Sequence, residues 1–417
     1  MKLMSNIILL LFCAFTIIAS SSAILLHPSK IKPYLLVAEA SNNFTNKFFP
    51  ALLDHVQTRN AIYSPLSVYA WIISIYFGAE GETQNELKSV AYLAHDGVNL
   101  QSAFRTVLDS IERGEKEAVV RTVNYIWIEN KFSIAPKFNE FAELYCSVHT
   151  DVFNPNMLEE SLNKINARIE DKTHGLVKNI LTMDDLNGAK VLAVSSTYFT
   201  GEWAHKFYYS PSTEKTIFHV SEAEGTMVNM MHVVGKFNTG RVPGLNADYV
   251  ELPFKDIEPW GRKKAITMFI IRPDSFRDLE QLVSNFEKIN ISELDSELQS
   301  LNVFLPQFKV ESKLELTQTM NEVGIQKIFN ASGELNHMVE ENVTTPFDLF
   351  VQKVSLEINE VGANVNSGGT VIKPPDANDY PKFWVDAPFL AVILDNETKA
   401  KIFVARIVHP NEWLLKH

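Results

Sequence analysis

Residues Ser64 to Gly78 read SPLSVYAWIISIYFG. Ser64 can cap a helix, Pro65 suits its first turn because no amide hydrogen needs a partner there, and Gly78 can end it. The intervening run LSVYAWIISIYF is apolar on almost every side. A surface helix keeps one polar face, so this one is expected to run through a core, with other elements packed around it.

The rest of the chain supplies those elements. Helices are expected from Thr83 (TQNELKSVAYL), over Leu100 to Glu112, and over Leu158 to Lys172 (LEESLNKINARIEDK), the last stopping near Gly175. Residues 113–117 (RGEKE) read as a solvated turn between them. Strands dominate afterwards. Val191 to Phe199 (VLAVSSTYF) is a nearly continuous apolar run, as a strand buried on both faces should be. Ala265 to Ile271, Leu301 to Val310, Lys353 to Val361, Phe389 to Leu394 and Ile402 to Val408 read as further strands. Asp395 to Thr398 makes a hairpin connection between the last two. A length of 417 residues suggests two or three domains. No repeat, linker or Pro/Gly-rich boundary divides the chain, however, so one large mixed α+β domain is expected.

Composition narrows the class. Hydrophobic residues make up 46% and charged residues 21%, and Gly 17 and Pro 18 are ordinary counts, which excludes collagenous and low-complexity chains. A net charge of -12 argues against nucleic acid as a partner. Two cysteines, Cys13 and Cys146, cannot build a disulfide scaffold. Cys146, in FAELYCSVH, reads as a buried inert thiol on an apolar helix face.

The N-terminus carries an address. Lys2 precedes the apolar run Ile7 to Ile18, and small residues follow from Ala19 to Ala23. That run is too short for a bilayer, which needs about 20 residues. Residues 1–23 therefore read as a secretory signal peptide, giving a secreted, extracellular protein with no membrane span.

Catalytic signatures are missing. There is no G-x-S-x-G, H-E-x-x-H, Walker loop or G-x-G-x-x-G, and the histidines have no metal-like spacing. No enzyme activity, metal or cofactor is expected. Arg262-Lys263-Lys264, beside Trp260, reads as a solvated basic loop, with glycan or partner binding as the alternative. Sequons at Asn43, Asn290, Asn330, Asn342 and Asn396 are candidate N-glycosylation sites; Asn396, in the hairpin turn, has the stronger structural reading.

These segments, in order, resemble the serpin family. The likeness runs from about Ala38 to Pro410. It includes Asn60 to Val68 (NAIYSPLSV), Gly78 to Leu87 (GAEGETQNEL), Ile165 to Val177 (INARIEDKTHGLV) and Thr197 to Phe207 (TYFTGEWAHKF). Met230-Met231-His232, Phe304-Leu305-Pro306, and Val323 to Ile325 on to Phe329 follow, then Glu357 to Gly362 (EINEVG), Phe383 to Phe389 (FWVDAPF) and Ile402 to Pro410 (IFVARIVHP). The resemblance implies three β-sheets and eight or nine helices in a single domain over 38–417, after an N-terminal extension at 24–37. It also implies an exposed reactive loop at about 360–382. In inhibitory members a serine protease attacks the loop, forms an acyl-enzyme and is dragged along as the cleaved loop becomes a new strand of the main sheet. Such a protein is a one-use suicide substrate and acts as a monomer.

An inserting strand should lack Pro and charge, and Val361 to Ile372 (VGANVNSGGTVI) has neither. From Glu360 onward the hinge residues Gly362, Ala363, Val365, Ser367 and Gly369 are small or moderate, and the last four would face inward. Asn364, Asn366 and the Gly368-Gly369 pair depart from the family's alanine-rich hinge and are poor strand formers. Family spacing puts the bait residue at Asp376, with Ala377 after it. Few secreted serine proteases cut after Asp; cleavage after Ala377 by an elastase-like enzyme is open, as is a cysteine protease that prefers acidic residues.

The resemblance also assigns a sheet-opening cluster. Ser64 and Ser67 match the family's hydroxyl pair, Ser195 stands where Asn is usual and Gln352 where His is usual. Two functions remain open at this point: a secreted inhibitor of serine proteases, and a non-inhibitory serpin-fold carrier, hormone-like ligand or binding scaffold.

Overall fold

Fourteen residues, Pro65–Gly78, form the expected helix in the computed structural model, and all but two of them are buried. The structure describes residues 31–56, 60–93, 98–112, 118–208, 215–255, 266–331, 333–341, 346–364 and 380–412. Ser64 precedes the helix with extended backbone, but its hydroxyl makes no capping bond; it lies 3.2 Å from the Ser67 hydroxyl instead. Gly78 is the last helical residue, and a side chain there would meet Met338 Cγ at 2.4 Å. Close packing, as well as helix termination, explains glycine at this position.

The core helix lies against a six-stranded sheet, called here the main sheet. Its strands run in the order Phe308–Glu315, Leu349–Ile358, Gly362–Ala363, Val191–Glu202, Ala118–Glu129 and Val148–Phe153. Trp71 on the helix meets Phe350 edge-on, with ring centroids 5.4 Å apart. On the opposite face, Ile165 and Ile169 of the helix Leu158–Lys172 pack with Trp127, Leu192, Val194 and Val351. Apolar cover on both faces is why the Val191 run lacks alternation.

The expectation of three sheets needs a restatement. Among the described residues, the remaining strands join into one nine-stranded network. The cause is the 17-residue strand Gly225–Arg241, which changes partner along its length. Its start pairs with Lys215–His219, its middle with Glu297–Pro306 and its end with Ala247–Pro253. One strand thus stitches together what would otherwise count as separate sheets. Nine α-helices occur among the described residues, and the first, Pro33–His55, begins ahead of the expected domain start at 38. Val37 is buried within it, so the last part of the expected extension packs with the core.

The expected strand Leu301 to Val310 is two strands. Glu297–Pro306 belongs to the nine-stranded network and Phe308–Glu315 to the main sheet, with Gln307 between them. Pro306 has no amide hydrogen for a ladder, which suits a strand's end.

Candidate functional site

The stretch 360–382 links the main sheet to the nine-stranded network. It leaves the main sheet after Leu349–Ile358 and rejoins the network at Lys382–Trp384, which runs parallel to Glu297–Pro306. Asn302 N donates to Pro381 O at 2.9 Å just before that strand. Val365, Ser367, Gly369, Asp376 and Ala377 lie outside the described residues, as do the Arg262-Lys263-Lys264 cluster, Trp260, Asn342, residues 113–117 and residues 1–23.

A tight turn at Asn359 to Gly362 begins the loop. Asn359 N donates to Gly362 O at 3.0 Å. The Asn359 side chain closes the turn from inside: its Oδ1 accepts from Val361 N at 2.9 Å and Gly362 N at 3.1 Å. Trp203 anchors the same turn, with Nε1 donating to Asn359 O at 2.9 Å and its amide to Val361 O at 2.9 Å. The Trp203 ring is stacked on Phe254, centroids 4.3 Å apart. Glu360 faces the other way, accepting from Gln307 Nε2 at 2.7 Å and, through its carbonyl, from Phe207 N at 3.0 Å.

Turned back by that bend, Gly362 and Ala363 sit inside the main sheet. Ala363 pairs with Ile358 on one side and with Gly201 on the other, and Gly362 pairs with Glu202, all antiparallel. Below them the two flanking strands pair directly and in parallel, from Leu349 with Leu192 to Ser355 with Tyr198. The hinge therefore occupies the top of a seam that is closed beneath it. Gly362 is required there, since a Cβ would lie 1.8 Å from Gly201 O.

The polar cluster expected to govern sheet opening lies under the same seam. Gln352 Oε1 accepts from Ser64 N at 2.9 Å, and Gln352 Nε2 donates to Ser64 O at 3.1 Å. Ser67 and Thr197 share a hydroxyl hydrogen bond of 2.7 Å. Gln352 and Thr197 stand on the two strands that meet at the seam. Each strand is thus tied separately to the start of the core helix. Ser195 is placed between Gln352 and Asn124 on neighbouring strands, but its buried hydroxyl has no hydrogen-bond partner among the described residues. Thr197 makes the strand's link to the hydroxyl pair. The run Ser195-Ser196-Thr197 carried that signal, because every second residue of a strand faces the helix.

The fold agrees with a family-wide comparison: the family model described as serpin (serine protease inhibitor) matches residues 39–410. The chain belongs to the serpin family. It is 27% identical over 391 residues to a serine protease inhibitor of Cyanea capillata, covering 90% of this chain and 99% of that one. The crystal structure of Serpin48 from the insect Tenebrio molitor superposes with a TM-score of 0.80 at 23% identity, covering 89% of this chain and 98% of that one. Human thyroxine-binding globulin complexed with thyroxine gives 0.77 at 19% identity, covering 91% and 100%. The fold thus also serves a thyroxine-binding protein.

Other candidate residues of this serpin fall as follows. Asn43, Asn290 and Asn330 are exposed. Asn396 is half-buried, and its amide donates to Thr267 Oγ1 at 2.8 Å. Among the described residues no His, Cys, Asp and Glu side chains gather as a metal-binding group, and no helix is long and apolar enough to cross a membrane. Sequence reasoning missed Asn359, Trp203 and Thr197, and it read Asn364 only as a weak strand former.

Proposed function

We propose that this serpin is a secreted inhibitor of serine proteases that acts once, as a suicide substrate. A serine protease attacks the loop at 360–382, at the Asp376–Ala377 bond that family spacing marks or, for an elastase-like enzyme, after Ala377. The freed segment then enters the main sheet between Leu349–Ile358 and Val191–Glu202. One observation carries this reading: Gly362 and Ala363 already occupy the top of that seam, antiparallel to both flanking strands. A strand continuing downward would exchange one parallel ladder for two antiparallel ones, and that gain in pairing is the driving force. Ala363, 0% exposed, shows the side-chain size that the core side accepts. Similarity to the Cyanea capillata inhibitor supports the same reading.

The test is to cut the loop with a non-specific protease and compare melting temperatures. A large rise on cleavage is expected, and an unchanged melting point would sink the proposal. Incubation with a panel of elastase-like enzymes should then give a covalent complex that survives SDS. Cleaved protein without complex would make the chain a substrate rather than an inhibitor.

A further inference from the structure

Where the hinge stops, a side chain takes over the work of the main chain. Ala363 is the last residue paired as a strand, and Asn364 turns out of the sheet with φ 48°, in the left-handed region that Asn tolerates. Its amide still donates to Glu357 O at 2.7 Å. In a regular antiparallel pair the Asn364 carbonyl would accept from Glu357 N in return. Here the side-chain Oδ1 accepts from Glu357 N instead, at 2.9 Å. The same amide group reaches across the seam, and its Nδ2 donates to Phe199 O at 2.7 Å. Glu357 lies on one flanking strand and Phe199 on the other. One side-chain amide therefore spans the seam as the next peptide unit of an inserting strand would.

We infer that Asn364 is a latch that fixes the hinge at two inserted residues. Its amide satisfies an N–H and a C=O, one on each edge of the seam, that further insertion would otherwise satisfy, and its left-handed backbone departs from the extended conformation a strand needs. Deeper entry requires both side-chain bonds to break and Asn364 to become extended. Asn364 is thus a positioning residue: it sets the depth of the resting hinge and delays the loop's entry. The consequence for trapping rests on the inhibitory reading above, whereas the resting contacts do not.

Two readouts test this on the full-length protein. The first is hydrogen exchange at the Glu357 amide, read by mass spectrometry with fragmentation, for the wild type, Asn364→Ala and Asn364→Gly. Glycine keeps the left-handed turn but removes the amide. Exchange should rise about fivefold in both variants, the scale of one hydrogen bond. No change in either variant overturns the latch; a rise in Asn364→Ala alone assigns the hold to the turn and overturns the role of the amide. The second readout is the time course of stabilisation after loop cleavage, which should be several-fold faster in Asn364→Ala than in the wild type. An equal or slower course overturns the delaying role. A wild type that gains no stability on cleavage counts against the inhibitory reading, and the exchange result still decides the latch.

Discussion

Gln352 grips both main-chain groups of Ser64: its side-chain oxygen accepts from the Ser64 amide at 2.9 Å and its nitrogen donates to the Ser64 carbonyl at 3.1 Å. Ser64 sits at the entrance of the core helix, and Gln352 is in the strand Leu349–Ile358 of the main sheet. Both residues are buried, so neither main-chain group has water to fall back on. Gln352→Leu keeps the bulk, removes both bonds and leaves the Ser64 N–H without this partner. A loss of about 1–3 kcal/mol of folding stability is expected, the cost of one unsatisfied buried group. Urea unfolding of the intact protein checks it; a change below about 1 kcal/mol would mean that the pair contributes little.

Gly362 offers a steric test of the resting hinge. A methyl group there would sit 1.8 Å from Gly201 O and 2.8 Å from Glu202 Cα, both backbone atoms that cannot step aside. Gly362→Ala should expel Gly362 and Ala363 from the seam. Cleavage at the base of the loop by a non-specific protease should then speed up about tenfold, the effect of making local opening easier by about 1.4 kcal/mol. A variant cut no faster than the wild type would show that the seam tolerates the methyl.

Much of this architecture is legible in the sequence, and particular residues show where legibility ends. Leu100–Glu112 and Leu158–Lys172 form helices with the bounds their periodicity predicts, because one apolar stripe suffices to orient a surface helix. The single strand expected over Leu301 to Val310 fails because hydrophobic pattern reports burial and not partner. Both halves carry buried apolar residues, yet they pair in different sheets. The tie of Gln352 to Ser64 spans 288 positions, and only the family resemblance brought these residues together. Asn364 is legible as a residue that strands disfavour. Its bonds to Glu357 and Phe199 were hidden because they depend on the register of two strands far apart in the chain.

Cys146 gives a probe of global opening. Its thiol is fully buried at the end of the helix Pro136–Cys146, and burial pushes it up to about 12. The thiolate is the reactive form, so the folded chain 24–417, which lacks Cys13, should be inert to a disulfide reagent such as DTNB at pH 8. Reaction is expected only at the rate of unfolding, and in urea it should track loss of structure. Prompt labelling of the native protein at pH 8 would refute this burial.

Lys401 should leave a pH signature on stability. Its side chain is 2% exposed, donates to Asn46 Oδ1 and lies 4.9 Å above the Phe286 ring. Burial lowers its pKa to about 7, against about 10.4 in an unfolded chain. Between these values the unfolded chain holds a proton that the folded one lacks. This group therefore adds stability as pH rises from 7 toward 10, and removes it as pH falls back. Below pH 7 both states are protonated and its contribution is flat. Lys401→Met keeps the length of the side chain without the charge, so it should be more stable than the wild type at pH 7, by an amount on the order of a few kcal/mol. The advantage should shrink steadily toward pH 10. Urea unfolding of both proteins at pH 6, 7, 8, 9 and 10 isolates the effect as a difference, because every other titrating group is common to the two. A constant difference across that range would show that Lys401 carries the same charge in both states.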